Sequence, residues 1–264
     1  MKNMIERFFD SLDDTLIITV RNLRRYLRLP QLVFFSSIQP IMFLLLFNYV
    51  FGGALGGSTH VPGGKYIDYL LPGILIQVVM FGGVQTGIGL AEDMGKGIID
   101  RFKSLPMSRL AVVAGRTLSD TLRNVVVTII MITVGIIIGF RFQTGSIHAL
   151  YMILIALLFG FSLSWLFALI GMTVKDSETA QLASFLMIFP LTFASAAFVP
   201  IATMPSWLQA FSRNQPVTFA VDATRHFAIG VPDGGAVWKL LIWIVAILIV
   251  LIPLSIRQYK KRSV

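Results

Sequence analysis

A chain of 264 residues that is 56% hydrophobic and only 13% charged carries about half the charge of an ordinary soluble domain, ~25%, and cannot coat a globule in water. That excludes a soluble enzyme and predicts an all-α integral membrane protein with about six transmembrane helices. The net charge of +9 reads as a bias between loops rather than a nucleic-acid footprint, and a chain without cysteine has no disulfides, thiol catalysis or Cys-ligated metals.

Residues 1–30 predict a cytoplasmic amphipathic helix lying on the membrane. Leu12, Leu16, Val20, Leu23 and Leu27 recur at the helical period, with Asp13, Asp14, Arg21, Arg24, Arg25 and Arg28 on other faces. Ser11 and Asp14 fit a capping signal at its start. A basic start followed directly by a short apolar run, the pattern of a cleaved leader, is not found here, so the N-terminus is expected to be retained.

Charge then vanishes in six windows: 29–64, 69–91, 124–140, 142–174, 179–212 and 240–256. A helix needs ~20 apolar residues to cross the ~30 Å hydrocarbon core. Arg123 and Lys239 can extend the two shortest windows, because long basic side chains reach back to the interface. The expected spans lie near 31–52, 69–91, 119–140, 149–173, 180–200 and 237–256, together one six-helix transmembrane domain over 31–256, followed by a basic cytoplasmic tail at 257–264. Pro40, Pro190 and Pro253 fall inside spans and predict kinks. Gly83–Gly87, Gly135–Gly139 and Gly160–Ser164 are small-xxx-small pairs that let helices approach closely.

The loops sort by charge. The N-terminal segment holds six Lys or Arg, the 92–116 loop five, the 174–179 loop one and the tail four; the opposite loops hold Lys65, Arg141, Arg213 and Arg225. The positive-inside rule therefore places both termini and the 92–116 loop in the cytoplasm. Residues 52–68 are Gly-rich and read as an external loop. Residues 201–236 are external yet apolar, with Trp207, Phe211, Val217, Phe219, Val221 and Phe227 among them, and predict short helices in the outer interface or dipping into the membrane.

Polar residues within spans are few. Gln39, Gln77, Gln85, Thr192 and Ser195 are packing contacts or line a substrate path. Asp120 and Arg123, three residues apart, are expected to form an interfacial ion pair where span three enters the membrane, with a gate as the alternative reading. No carboxylate is expected deep in a span, where a proton-coupled carrier would usually place one.

In the 92–116 loop, Ile98, Phe102 and Leu105 form one apolar stripe and Pro106 ends the helix. The stripe rests either on lipid and the protein's own helices or on a second protein docking from the cytoplasm. A phosphate loop needs G-x-x-x-x-G-K-[ST]. The nearest run, Gly89 to Gly97, has the wrong spacing and a glycine after Lys96. His60, His148 and His226 match no metal spacing.

Glu92 followed by GIIDRFKSLPMSRLAVVAGRTLSDTLR, and RNQPVTFAVDATRH at 213–226, resemble the permease subunits of type 2 ABC exporters, with the daunorubicin-resistance type as the nearest subgroup. The runs that carry the likeness are Arg101-Phe102-x-x-Leu105-Pro106 and Asn214-x-Pro216-Val217-Thr218; the family usually reads Asn-Pro where Gln215 intervenes here. The resemblance covers essentially the whole chain.

It implies a subunit of an ATP-driven exporter of a hydrophobic or amphipathic substrate such as a drug, lipid or lipid-linked glycan, in the bacterial cytoplasmic membrane. It implies two copies of a separate ATPase subunit, which bind ATP and Mg while this chain binds no cofactor, and a second permease chain as a homodimer. Glu92, Ile98, Arg101, Phe102, Lys103, Leu105 and Pro106 would form a cytoplasmic coupling helix between spans 2 and 3. Lys175, Asp176 and Glu178 would form a second contact with the ATPase. The alternative is an ATP-independent membrane transporter or a membrane assembly scaffold.

Overall fold

The computed structural model describes residues 4–29, 31–55, 65–103 and 107–261. These are almost entirely helical, with no strand among the described residues: α1 (Met4–Arg28), α2 (Gln31–Leu55), α3 (Tyr66–Gly95), α4 (Ile98–Lys103), α5 (Arg109–Ile138), α6 (Ser146–Thr173), α7 (Ser177–Phe193), a 3-10 turn (Ile201–Thr203), α8 (Ser206–Ser212), α9 (Pro216–Ile229) and α10 (Ala236–Lys261).

Five segments are long and apolar enough to cross a membrane: Val33–Gly53, Tyr66–Gly95, Leu110–Ile138, Ser146–Thr173 and Ala236–Lys261. α3 and α5 hold 30 residues each, or ~45 Å at ~1.5 Å per residue, so each exceeds the ~30 Å core by several turns. α5 begins ten residues before the expected start at 119. α7 is shorter than expected, 17 residues ending at Phe193, and the chain turns at 194–198. Pro190 sits in its last turn, where it withholds one helix donor.

α3 is the hub. It packs against α2, α5, α6, α7 and α9 and is buried along nearly its whole length. Its small residues make this possible. A Cβ on Gly171 of α6 would stand 2.1 Å from the carbonyl oxygen of Gly87, and one on Gly87 would stand 2.4 Å from that of Phe167, so the two backbones touch where they cross. Gly160 meets Val79 in the same interface. Gly139 serves the backbone instead of the packing, since at φ +122 it closes the C-terminus of α5.

The end of the bundle carrying α4 is stapled by a second apolar cluster. Leu90 of α3, Ile99 of α4, Val112 and Val113 of α5, Trp165, Ala168 and Met172 of α6, and Tyr259 of α10 are all buried there. At the opposite end, the segment expected to lie in the outer interface folds back onto the bundle. Val217, Ala220, Val221, Ala223 and Ala228 of α9 are buried in the main core, while Trp207 of α8 stays 73% exposed.

α1 has two working faces. Thr15, Ile18 and Thr19 pack on Gly115 of α5, where Thr19 Oγ1 donates to the Gly115 carbonyl at 3.3 Å. Leu12, Leu16, Val20 and Leu27 of the expected apolar stripe remain exposed, while Leu23 is part-buried. The capping expectation is corrected: α1 begins at Met4, so Ser11 and Asp14 lie inside it. Asp14 instead accepts from the backbone N–H of Ser108 at 2.8 Å, immediately before α5.

Candidate functional site

A buried polar network joins α1, α3 and α5. Asp120 is fully buried. Its Oδ2 accepts from Thr86 Oγ1 at 2.8 Å and from Arg116 Nε at 3.2 Å, and its Oδ1 accepts from the Tyr26 hydroxyl. Arg116 also pairs with Asp93 at 3.5 Å. Burial, then the Asp120 carboxylate, pushes the Tyr26 phenol up to about 12, which keeps it a donor at any working pH.

This corrects the expected Asp120–Arg123 pair. Arg116 and Arg123 flank Asp120 one turn to either side, and spacing alone cannot choose between them. Packing chooses: Gly89 leaves room for the Arg116 guanidinium, which a Cβ there would meet at 1.8 Å. Arg123 turns instead toward Gly82 O at 3.4 Å and Asn124 Oδ1 at 3.5 Å, with its guanidinium 5.4 Å from the Tyr26 ring centroid. α5 starts earlier than expected, so Asp120 sits ~16 Å along it at ~1.5 Å per residue, where it is paired with Arg116.

Beside this network lies a cavity of about 430 Å3 between α1, α2, α3 and α5, joined to a smaller chamber of about 80 Å3; Ser36, Gln39, Gln85 and Arg123 line both. Gln77 lines the smaller chamber. Three of the five candidate path residues, Gln39, Gln77 and Gln85, are thus brought together. Thr192 and Ser195 are not. Ser195 donates to the Thr192 carbonyl at 2.6 Å and accepts from Ala197 N at 3.1 Å, a local bond set where α7 ends.

The candidate coupling residues lie at the α4 end. Glu92 pairs with Lys96 at 2.5 Å and Arg25 at 3.7 Å. Among the described α4 side chains the most buried is Ile99, at 3% exposure, not Ile98. Phe102 is part-buried against the same cluster, with the Arg21 guanidinium 4.9 Å from its ring centroid. Among the described α4 side chains, Ile99 and Phe102 therefore face inward. Leu105, Pro106 and the side chains of Arg101 and Lys103 lie outside the described residues.

Lys175, Asp176 and Glu178 are exposed in the α6–α7 turn. Asp176 caps α7, accepting from Thr179 N at 2.7 Å and Thr179 Oγ1 at 3.1 Å, and these bonds hold its carboxyl below the usual range. Met172, just before this turn, shares a cluster with Ile99, so the turn and α4 lie at one end of the bundle.

Sequence reasoning missed Tyr26, Thr86, Arg116 and Arg225. Arg225 is buried, stacks over the Tyr69 ring at 3.4 Å, and donates to the carbonyls of Tyr69 (3.0 Å), Ala196 (2.6 Å) and Ala197 (3.2 Å). Two of these, Ala196 and Ala197, are backbone acceptors freed just after α7 ends. The signal was available in the 213–226 run, which contains it.

A family model described as ABC-2 type transporter matches residues 13–228. The chain is 35% identical over 226 residues to the daunorubicin resistance ABC transporter permease protein DrrB1 of Streptomyces coeruleorubidus, covering 86% of this chain and 78% of that one. It is 28% identical over 250 residues to the probable doxorubicin resistance ABC transporter permease protein DrrC of Mycobacterium tuberculosis, covering 94% and 89%. It is 24% identical over 213 residues to the putative transport permease ycf38 of Cyanophora paradoxa, covering 80% and 72%.

Proposed function

Because this multi-pass membrane protein belongs to the ABC-2 type transporter family and is a transmembrane ABC transporter permease, we propose that it moves a hydrophobic or amphipathic substrate out of the cytoplasm or inner leaflet, driven by two copies of a separate ATPase subunit. In this reading two permease chains form a homodimer. α7 is the sixth span, at the short end of the tolerated ~17–25 residues. Both termini face the cytoplasm. ATP and Mg reside on the ATPase, and this chain binds no cofactor.

The proposed docking surface is α4 with the α6–α7 turn. The supporting observation is the cluster that ties Ile99 of α4 to Leu90, Val112, Val113, Trp165 and Met172. A push on α4 is thereby passed to α3, α5 and α6 together. The cavity holding Gln39, Gln77 and Gln85 touches the same α3 and α5, and is assigned to the substrate path. Permease work is then differential binding between two conformations, with the ATPase selecting which one is populated.

The test is Phe102→Asp beside Lys103→Ala in the complex with its ATPase. Phe102→Asp is expected to loosen α4 from this cluster, and thereby to reduce ATPase co-purification and abolish substrate-stimulated hydrolysis while the permease remains inserted. Lys103→Ala is expected to do less, because exposed ion pairs contribute only ~0–1 kcal/mol. Wild-type co-purification and export for Phe102→Asp would sink the coupling assignment.

A further inference from the structure

We infer that the cavity between α1, α2, α3 and α5 binds the anionic head of an amphiphile, with a phosphate-type monoanion seated on Arg123. This rests on the reading of that cavity as part of the substrate path.

Arg123 is only 6% exposed and lines both chambers. The neighbouring carboxylates are committed to other cations. Of the cations on the cavity wall, Arg116 is matched by Asp93 at 3.5 Å and Asp120 at 3.2 Å, and Arg25 faces Glu92 at 3.7 Å. Arg123 has no carboxylate partner among the described residues. Its Nη2 makes only the two long bonds to Gly82 O and Asn124 Oδ1, and its Nε has no hydrogen-bond partner. The Tyr26 ring at 5.4 Å supplies a quadrupole, not a counter-charge. A buried cation without a paired anion is costly, and a guanidinium that lines a cavity offers donors that carboxylate and phosphate oxygens fit.

A second buried group lies beside the smaller chamber. Gln77 Oε1 has no hydrogen-bond partner among the described residues and Gln77 lines the smaller chamber. An acceptor there matches a hydroxyl or amine donor next to the anion, as on a glycerol or ethanolamine head. The rest of the wall suits an acyl chain. Phe43, Val78 and Phe81 line the smaller chamber, and Phe35, 66% exposed, lines the larger.

The experiment uses the full chain purified in an uncharged detergent, with thermal unfolding and equilibrium binding as readouts. Three probes are titrated: dihexanoyl phosphatidylglycerol, dihexanoylglycerol and inorganic phosphate. Phosphatidylglycerol is expected to raise Tm saturably and dihexanoylglycerol to do nothing. Arg123→Gln is expected to weaken the apparent Kd about tenfold or more, and Arg123→Lys to retain part of it. A response to inorganic phosphate equal to that of phosphatidylglycerol would also support the anion seat and identify a free anion as its source. Should Arg123→Gln fail to fold, Gln39→Leu, which changes the wall and leaves Arg123, is expected to weaken the same binding. Equal stabilisation by dihexanoylglycerol, no saturable binding, or unchanged affinity in whichever variant folds would overturn the inference. The path reading is tested separately by Gln85→Trp. If anion binding is intact in the wild type yet Gln85→Trp leaves export unchanged, the path assignment fails while the anion seat stands.

Discussion

The Tyr26 hydroxyl of α1 donates a buried hydrogen bond to Asp120 of α5, so the amphipathic N-terminal helix is tied by its side chains to a membrane-crossing one. The same carboxylate holds Arg116 and Thr86. Three helices therefore share one charge. Asp120→Ala would leave Arg116 with Asp93 alone and strand two hydroxyls. The expected loss is about 3–5 kcal/mol, the usual cost of removing one partner of a buried pair. Tyr26→Phe removes a single charge-assisted bond and is expected to lose about 1.5–3 kcal/mol. Thermal unfolding of the purified chain gives the order; a larger loss for Tyr26→Phe than for Asp120→Ala would contradict the network as drawn.

At the α3–α6 crossing, Gly171→Ala places a Cβ 2.1 Å from a backbone oxygen. Backbone cannot swing aside as a side-chain tip can, so the helices must separate. Overpacking typically costs about 1–3 kcal/mol, and this site is expected at the upper end or beyond. Gly53→Ala, where a Cβ would meet nothing within 4 Å, is the matched control and should be neutral. The amount of monodisperse protein recovered in detergent compares the two.

Asp176 links pH to the start of α7. Its bonds from Thr179 hold the folded carboxyl below the ordinary value of 3.8. A group lowered on folding stabilises above its unfolded pKa and loses that contribution as pH falls through the lower folded value. Fraying at residues 177–180 is therefore expected to increase as pH drops below 3.8. Asp176→Asn should remove that pH response while keeping part of the cap. Amide exchange across 177–180 against pH reports it, and an identical profile in Asp176→Asn would refute the assignment.

Orientation is read with single cysteines, easily placed in a chain that has none. An impermeant thiol reagent on intact cells is expected to label cysteine at 58 and 213 and to miss cysteine at 103 and 260. The reverse pattern would invert the topology.

The class of the molecule was legible in the sequence because a membrane span is a local, additive property. Five of the six charge-free windows coincide with helices long and apolar enough to cross. The sixth window overran its helix, since Pro190 and the turns after it end α7 at Phe193, and the Arg225 side chain that satisfies the freed carbonyls comes from 28 or 29 residues away. The partner of Asp120 was equally out of reach. Arg116 and Arg123 are near-equivalent by helical spacing, and the choice was made by Gly89 on α3, which determines where a guanidinium has room. Periodicity determined which residues could face one another; only the close crossing of α3 with α5 and α6 decided which of them touch, because that contact is set by the absence of side chains on a helix more than 25 residues away in the chain.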